Sequence, residues 1–371
     1  MTGKRYKVIL IVLICILASI ILSIFLYAAI NGFSAAQIYR KLFPDSVEGV
    51  YSPYAAVDIS LSPNVLSAGG GGCLYILNEG LLTAYDEKGI EISSGIVTFE
   101  QPDISASDGY ALIYDRISGS YKLYKDGRVE ISGSLQRQVL SGAVQDNGYM
   151  IFILQGKDGF LGSMALVNKD NETIAMCDYS DRYPVSACMS GDEKRFAVAG
   201  IYSGDTGRTG IDIYELYNPV PVAGFNSSHL MPLVEEAGKS SFSAVGTKII
   251  EVFDFSGEKL RSYEYGNILA ARESADGFHL VDREAAGDSI IFIGNDGEQK
   301  WIHKTGLRTD GIASGDGHMF YWSGMGISCL DADGKPLEIS GGFGAIINTV
   351  CFGKERTAVL TQGRLIFYKF K

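Results

Sequence analysis

The sequence predicts an all-β chain folded as a β-propeller, eight-bladed with seven as the alternative, behind one N-terminal transmembrane helix. Three observations carry this expectation. Short apolar runs alternate with Asp-Gly or Asn-Gly turns, the turns recur at a fixed period, and one long uncharged apolar segment opens the chain.

At 371 residues the chain exceeds what a single ordinary core organises, so either two domains or one repeat-built domain is expected. Composition selects the second. With 45 Gly, 21 Tyr and 18 Phe against 9 Pro, it combines residues that accept φ > 0 with residues suited to pleated surfaces.

The turns align directly. Asp108-Gly109 (SASDGYALIY), Asn147-Gly148 (VQDNGYMIFIL), Gly191-Asp192 (MSGDEKRFAVAG), Asp276-Gly277 (ESADGFHLV), Asp316-Gly317 (SGDGHMFYW) and Gly353-Lys354 (CFGKERTAVL) each precede an apolar strand. Weaker members at Ala68 to Gly72 and at Gly238-Lys239 complete a series with a period of about 40 residues. A second series lies half a period later, at Asp86, Asp126, Asp170, Asp254, Asp296 and Asp333. Two hairpins per unit make four strands, and four strands per unit of this length is a propeller blade, which buries its faces on its neighbours and leaves few edges. The last unit stops at RLIFYKFK after three strands. Its fourth strand is expected from Ala55 to Leu61 (AAVDISL), so that the N-terminal strand closes the ring.

At the N-terminus, 23 residues from Val8 to Ile30 carry no charge. As a helix they reach about 34 Å, enough to span a hydrocarbon core of about 30 Å. Lys4, Arg5 and Lys7 precede the segment and nothing balances them just after it, which places the N-terminus in the cytoplasm and the rest outside. The expected division is a tail over 1–7, a signal anchor over 8–30, a connector over 31–50 with a short helix from Ser34, and a propeller over 51–371. A cleaved signal ending near Ser34-Ala35-Ala36 is the competing reading, but the apolar run is longer than a signal's core.

A net charge of −11 argues against nucleic acid and against contact of the body with anionic lipid, so the membrane is met only through the N-terminal helix. Outside that helix stand Cys73, Cys177, Cys188, Cys329 and Cys351, an odd number with no C-x-x-C and with apolar neighbours. They are expected as small core residues, a Cys177 to Cys188 bridge being the sharper alternative.

MSGDEKRFAVAG comes close to the S-P-D-G-x-x-apolar-A pattern of TolB-like repeats, and over roughly residues 55–371 the chain resembles the WD40, TolB-like and quinoprotein-like propeller superfamily. It departs from that pattern in lacking a terminal Trp-Asp and a Gly-His, and in holding only Trp301 and Trp322. The whole layout also resembles an uncharacterised bacterial family of membrane-anchored propellers, which implies a tethered ring and carries no assigned activity.

Catalytic signatures are absent from the sequence. His229, His279, His303 and His318 lie in separate units without metal-ligand spacing, and no G-x-S-x-G elbow occurs, so neither a metal nor another cofactor is expected. Asp331-Ala332-Asp333-Gly334 begins like a calcium loop, but Lys335-Pro336-Leu337-Glu338 continues it with too few oxygens, leaving an ordinary turn. The sequons at Asn171 and Asn226 are no more than chance supplies.

Long loops remain. The middle connections Gln155 to Gly162, Tyr202 to Gly210 and Asp282 to Asp288 exceed the minimal turns at Asn78 to Gly80 and Gln362-Gly363. Loops of that kind carry recognition on rigid scaffolds. The candidate ligand or partner face therefore holds Lys157, Asp158, Tyr202, Asp205, Arg208, Asp282 and Arg283. The expected function is a non-catalytic extracytoplasmic binding or scaffold module for an envelope protein or glycan; the alternative is a propeller enzyme acting on a carbohydrate or small molecule. An apolar or aromatic rim favours the first, and a central funnel of convergent carboxylates or histidines favours the second.

Overall fold

The computed structural model describes residues 50–371 apart from the single positions 108, 206, 238, 239, 275, 316, 325 and 354. The expected tail, anchor and connector helix lie outside the described residues, as do Asp108, Gly238-Lys239, Asp316 and Lys354 of the turn series. No helix among the described residues is long and apolar enough to cross a membrane.

Every regular element described is a β-strand. The second strand of each repeat is a continuous apolar run because it is covered on both faces: Met150–Gln155 (MIFILQ) is buried at its first five positions. Outer strands such as Thr173–Tyr179 alternate instead, having one side in water. The second turn series follows from side-chain capping. The Asp86 carboxylate accepts the Lys88 and Ile90 amides at 2.8 and 2.9 Å, Asp254 those of Ser256 and Glu258 at 2.9 Å each, and Asp331 those of Asp333 and Lys335 at 2.9 and 2.8 Å. Each is an Asx-type turn ended by a glycine in the left-handed region, Gly334 having φ 75°. The Asp331 oxygen that suggested calcium is thus spent on its own backbone.

The strands form six four-stranded sheets and one eight-stranded sheet. The six span residues 66–96, 102–134, 139–179, 182–227, 233–264 and 268–304 in chain order. The eight-stranded sheet has two halves. One runs from Gly311–Gly315 to Pro336–Ile339; the other holds Ile346–Gly353, Arg356–Thr361, Arg364–Phe370 and the N-terminal strand Val50–Asp58.

Val50–Asp58 pairs antiparallel with Arg364–Phe370, Val57 opposite Leu365, and touches Pro336–Ile339 through two parallel pairs. This is the expected closure with shifted bounds, starting at Val50 instead of Ala55 and ending at Asp58 instead of Leu61. The shift has a packing cause. Tyr51, 1% exposed, lies edge-on to Phe320 with ring centroids 4.9 Å apart, so the strand must begin early enough to fill that gap. Val50, counted above with the connector, belongs to the ring.

Among the described residues, seven apolar clusters lie between sheets that are consecutive in this order and one between the two halves of the eight-stranded sheet; the cluster that closes the order joins Leu360 and Phe367 to Leu74 and Ile76 of the first sheet. The stack therefore closes into a ring. The first strand of each sheet is the innermost, and crowding there demands small residues. A Cβ on Gly69 would stand 2.3 Å from the Cys351 carbonyl oxygen, and one on Gly70 only 1.9 Å from that of Ser107. The five described cysteines are free. Cys177 and Cys188 pack in different clusters, which excludes the alternative bridge between them.

Candidate functional sites on the two faces of the ring

One face gathers the turns between second and third strands together with the connections between sheets. Backbone bonds tie them: Val97 N donates to Gly80 O at 2.8 Å, Leu161 N to Tyr179 O at 2.7 Å and Ser203 N to Asp181 O at 3.1 Å. All the sequence-derived candidates lie on this face, in three separate groups. Lys157 and Asp158 are exposed on the loop after Met150–Gln155, with Asp158 in the left-handed region at φ 55°. Tyr202, Asp205 and Arg208 come together. The guanidinium groups of Arg182 and Arg208 both approach the Tyr202 ring, 5.3 and 5.9 Å from its centroid. Its hydroxyl donates to Asn226 Oδ1 at 2.6 Å, and Arg208 Nε stands 4.0 Å from Asp205 Oδ2. The arrangement brings two cations onto one aromatic ring.

Asp282 and Arg283 are placed differently from expectation. They belong to the strand Gly277–Glu284, which pairs onward to Gly287, so DREAAGD is a tight hairpin and not a long loop. The buried Asp282 carboxylate accepts the Gly266 and Asn267 amides at 3.3 and 2.7 Å, fixing the incoming connection. Arg283 grips Asp288 with two bonds of 3.0 and 3.1 Å. Burial alone would raise the Asp288 carboxyl, but Arg283, the Thr309 amide and Arg308 hold it below its usual range.

Sequence reasoning did not single out the apolar side chains of this face. Leu140, Tyr183 and Leu269 are exposed at equivalent places, the second residue of an inner strand, and Ile96, Leu230 and Leu307 stand on the adjoining connections or strand ends. Ile96 is 77% and Leu307 57% exposed. Phe160 from the middle loop and Leu81 from the strand after a middle turn complete the exposed apolar set of this face, the collar. The sequence carried no distinguishing signal, since the inner strands Leu233–Glu236 and Ile346–Gly353 also begin with large apolar residues that are not exposed.

The opposite face carries the turns between first and second strands. Here a cavity of about 630 Å³ opens, lined by Gly69 to Gly72, Glu87, Ser107, Asp146, Glu273, Ser274, Ser314 and the end of Ile346–Gly353. Glu235 and Glu236, on the inner strand Leu233–Glu236, stand near enough for their charges to act on Glu273. Glu273 is exposed to the opening, yet the surrounding wall desolvates it, and this, then Glu236, Glu235 and Asp146, push its carboxyl up to about 8. Burial and Asp146 push Glu236 up to about 7. Burial also raises Glu235, against the opposing pull of Arg272. Sequence reasoning missed this group too, although Glu235-Glu236 and Arg272-Glu273 stand where three other inner strands read Ser, Ala or Gly (SAGG, SAS, ASG) and none of the rest ends in a carboxylate pair.

His279 shares a hydrogen bond of 2.8 Å between its Nδ1 and Ser314 Oγ. The pair invites a nucleophile-and-base reading. Burial pushes the imidazole down to about 3, so it does not accept the hydroxyl proton near neutrality, and its ring is stacked on Phe292. Among the described residues no group of three or more His, Cys, Asp or Glu is arranged to hold a metal ion.

A model described as a family of unknown function, DUF5711, matches residues 64–365. The chain belongs to that family. Its match covers the ring except for the closing strand and the last few residues, so the DUF5711 region and the propeller coincide. No curated protein matches the chain. Among solved structures, this DUF5711 member is similar to BamB from Moraxella catarrhalis at 14% identity and TM-score 0.54, over 86% of this chain and 98% of that one. It is similar to the C-terminal WD40 domain of Sif2 at 10% identity and TM-score 0.62, over 88% and 100%. A third likeness is to the dihydro-heme d1 dehydrogenase NirN in complex with DHE, at 14% identity and TM-score 0.54, over 75% and 66%. Identities this low carry the propeller fold alone, which is the fold the sequence resemblance implied. Proteins of unlike function share that fold.

Proposed function

We propose that this protein is a membrane-tethered, non-catalytic binding module whose eight-bladed ring stands outside the cytoplasm and presents its middle-turn face to an envelope protein. The two halves of the eight-stranded sheet are counted as two blades. The observation that carries the reading is the apolar collar formed by Ile96, Leu140, Tyr183, Leu230, Leu269 and Leu307. Large apolar side chains left in water on one face mark partner sites, and aliphatic side chains in particular suit a protein better than a glycan. Tyr202 with its two arginines, and the exposed Lys157 and Asp158, supply polar groups on the same face. The tether and orientation rest on the uncharged run from Val8 to Ile30 and the basic residues before it.

The test replaces Leu140, Leu269 and Leu307 by Asp in the full chain, expressed in its own cell. These side chains are exposed, so the melting temperature stays close to that of the wild type. The partner recovered with the wild type after crosslinking is expected to be lost. Its retention in the triple variant contradicts the proposal. Protease added to intact cells is expected to digest the ring, and protection of the ring contradicts the orientation.

A further inference from the structure

We propose that a crevice on the flank of the ring, between the third and fourth sheets, binds a single neutral sugar ring through the Asp212 carboxylate and the Arg182 guanidinium. The crevice measures about 250 Å³, under the roughly 300 Å³ at which drug-sized sites begin, so it takes one ring and no more. Its floor comes from Asp212 and Tyr214 of Thr209–Glu215 and from Arg182 at the start of Arg182–Met189. Tyr179 closes it from the outer strand of the third sheet, and Pro219 and Pro221 wall it.

Asp212 and Tyr214 share a face of their strand, and it is the face toward the third sheet, because Tyr214 packs in the apolar cluster between the two. Opposite them in the outermost strand stand Gly224 and Pro221. The missing side chain at Gly224 hollows out this wall, since a Cβ there would fall 2.8 Å from Asp212 Oδ1. Asp212 is only 9% exposed. Its Oδ2 stands 2.9 Å from Arg182 Nη2 and accepts the Tyr214 hydroxyl at 3.3 Å, while Oδ1 has no hydrogen-bond partner among the described residues. The two phenols are spent on each other, Tyr179 and Tyr214 sharing a bond of 2.8 Å. Burial raises the Asp212 carboxyl, and Arg182 and Tyr214 do not offset it. A buried acceptor left short of donors costs free energy that a ligand's O–H recovers.

The ion pair selects the ligand class. Arg182 already balances Asp212, so an ammonium would meet the guanidinium, and an anion would meet Asp178 and Asp181 at the rim. Arg182 Nε donates to Asp181 at 3.3 Å and Nη2 faces Asp212, but Nη1 makes no hydrogen bond among the described residues. A free acceptor beside a free donor suits neighbouring hydroxyls, one donating to the carboxylate and the next accepting from the guanidinium, as those of a sugar ring do. Both bonds are charge-assisted, the strong kind. The proline rings offer apolar surface to the sugar's C–H groups and bring no backbone N–H to compete.

Ligand-observed NMR of the full chain, in a detergent without a sugar headgroup, tests the site. The probes are glucose, galactose, mannose and N-acetylglucosamine, each free and as its methyl glycoside, with methylammonium and acetate for comparison. At least one sugar is expected to bind saturably. Gly224→Ala, which fills the space beside Oδ1 and keeps every charge, is expected to weaken that binding roughly tenfold or more, and Asp212→Asn to do the same. Asp333→Asn, on another sheet, is expected to leave it unchanged. No saturable sugar binding, unaltered affinity in either crevice variant, or tighter binding of methylammonium or acetate than of every sugar overturns the proposal. Should Asp212→Asn fail to melt cooperatively, Gly224→Ala decides alone. Binding of a methyl glycoside assigns the crevice to the end of a glycan and binding of the free sugar alone to a soluble monosaccharide, and either upholds it. Loss of the collar's partner does not bear on this site, because the crevice shares no residue with the collar.

Discussion

Glu273 stands on an inner strand where its counterparts in other sheets are small, and its neighbours Glu236, Glu235 and Asp146 repel its charge. With Glu236 and Glu273 raised to about 7 and 8, the folded chain holds more protons than the unfolded one from roughly pH 4.5 upward. Stability from these groups is therefore greatest at low pH and falls as pH rises toward 8. The melting temperature of Glu236→Gln with Glu273→Gln, relative to wild type, is expected to rise as pH goes from 5 to 8.5, because the opposing contribution of the buried His279 is the same in both forms. A slope unchanged by the substitutions contradicts the assignment. At this scale the sequence was partly legible. Tyr202, Asp205 and Arg208 were found together because a six-residue loop between strands shows in the spacing, whereas Asp282 and Arg283 were misplaced because DREAAGD does not reveal that its strands run to the turn. The carboxylate group was hidden for a different reason. Its members are distant in sequence, and only ring closure brings them near.

Strands and turns were the most legible level. The Asx turns repeat because a carboxylate capping two amides is a local device, readable without tertiary context. The run Gly69 to Gly72 read as a turn alone, yet its first two glycines lie in the inner strand Leu66–Gly70, where neighbouring backbones leave no space. Gly70→Ala is accordingly expected to destabilise the ring by about 1–3 kcal/mol through overpacking, measured by chemical denaturation. Wild-type stability in that variant contradicts the close approach. The closing strand makes a sharper case. Deleting residues 1–49 removes no described strand and is expected to preserve cooperative melting. Deleting residues 1–58 strips the partner from Arg364–Phe370 and the Tyr51 ring from between Phe320 and Phe370. That form is expected to aggregate or to lose its sharp transition, since a bare edge strand templates association. Equal melting of the two forms contradicts closure by the N-terminal strand.

On the scale of the whole molecule, periodicity foretold a ring of four-stranded sheets. It could not foretell the two faces, because exposure on a ring is a property of closure and not of any one repeat. The collar and the acidic mouth are the two results of that closure, one apolar and one charged, separated by the thickness of the sheets. The collar carries the central claim. A photo-crosslinking amino acid placed in turn at Leu140, Leu269 and Leu307, and for comparison at the exposed outer-strand positions Val129, Met176 and Ile302, tests it in cells expressing the full chain. The account predicts one discrete adduct shared by the three collar positions and absent from the outer three; no adduct from the collar, or the same adduct from the outer strands, would contradict it.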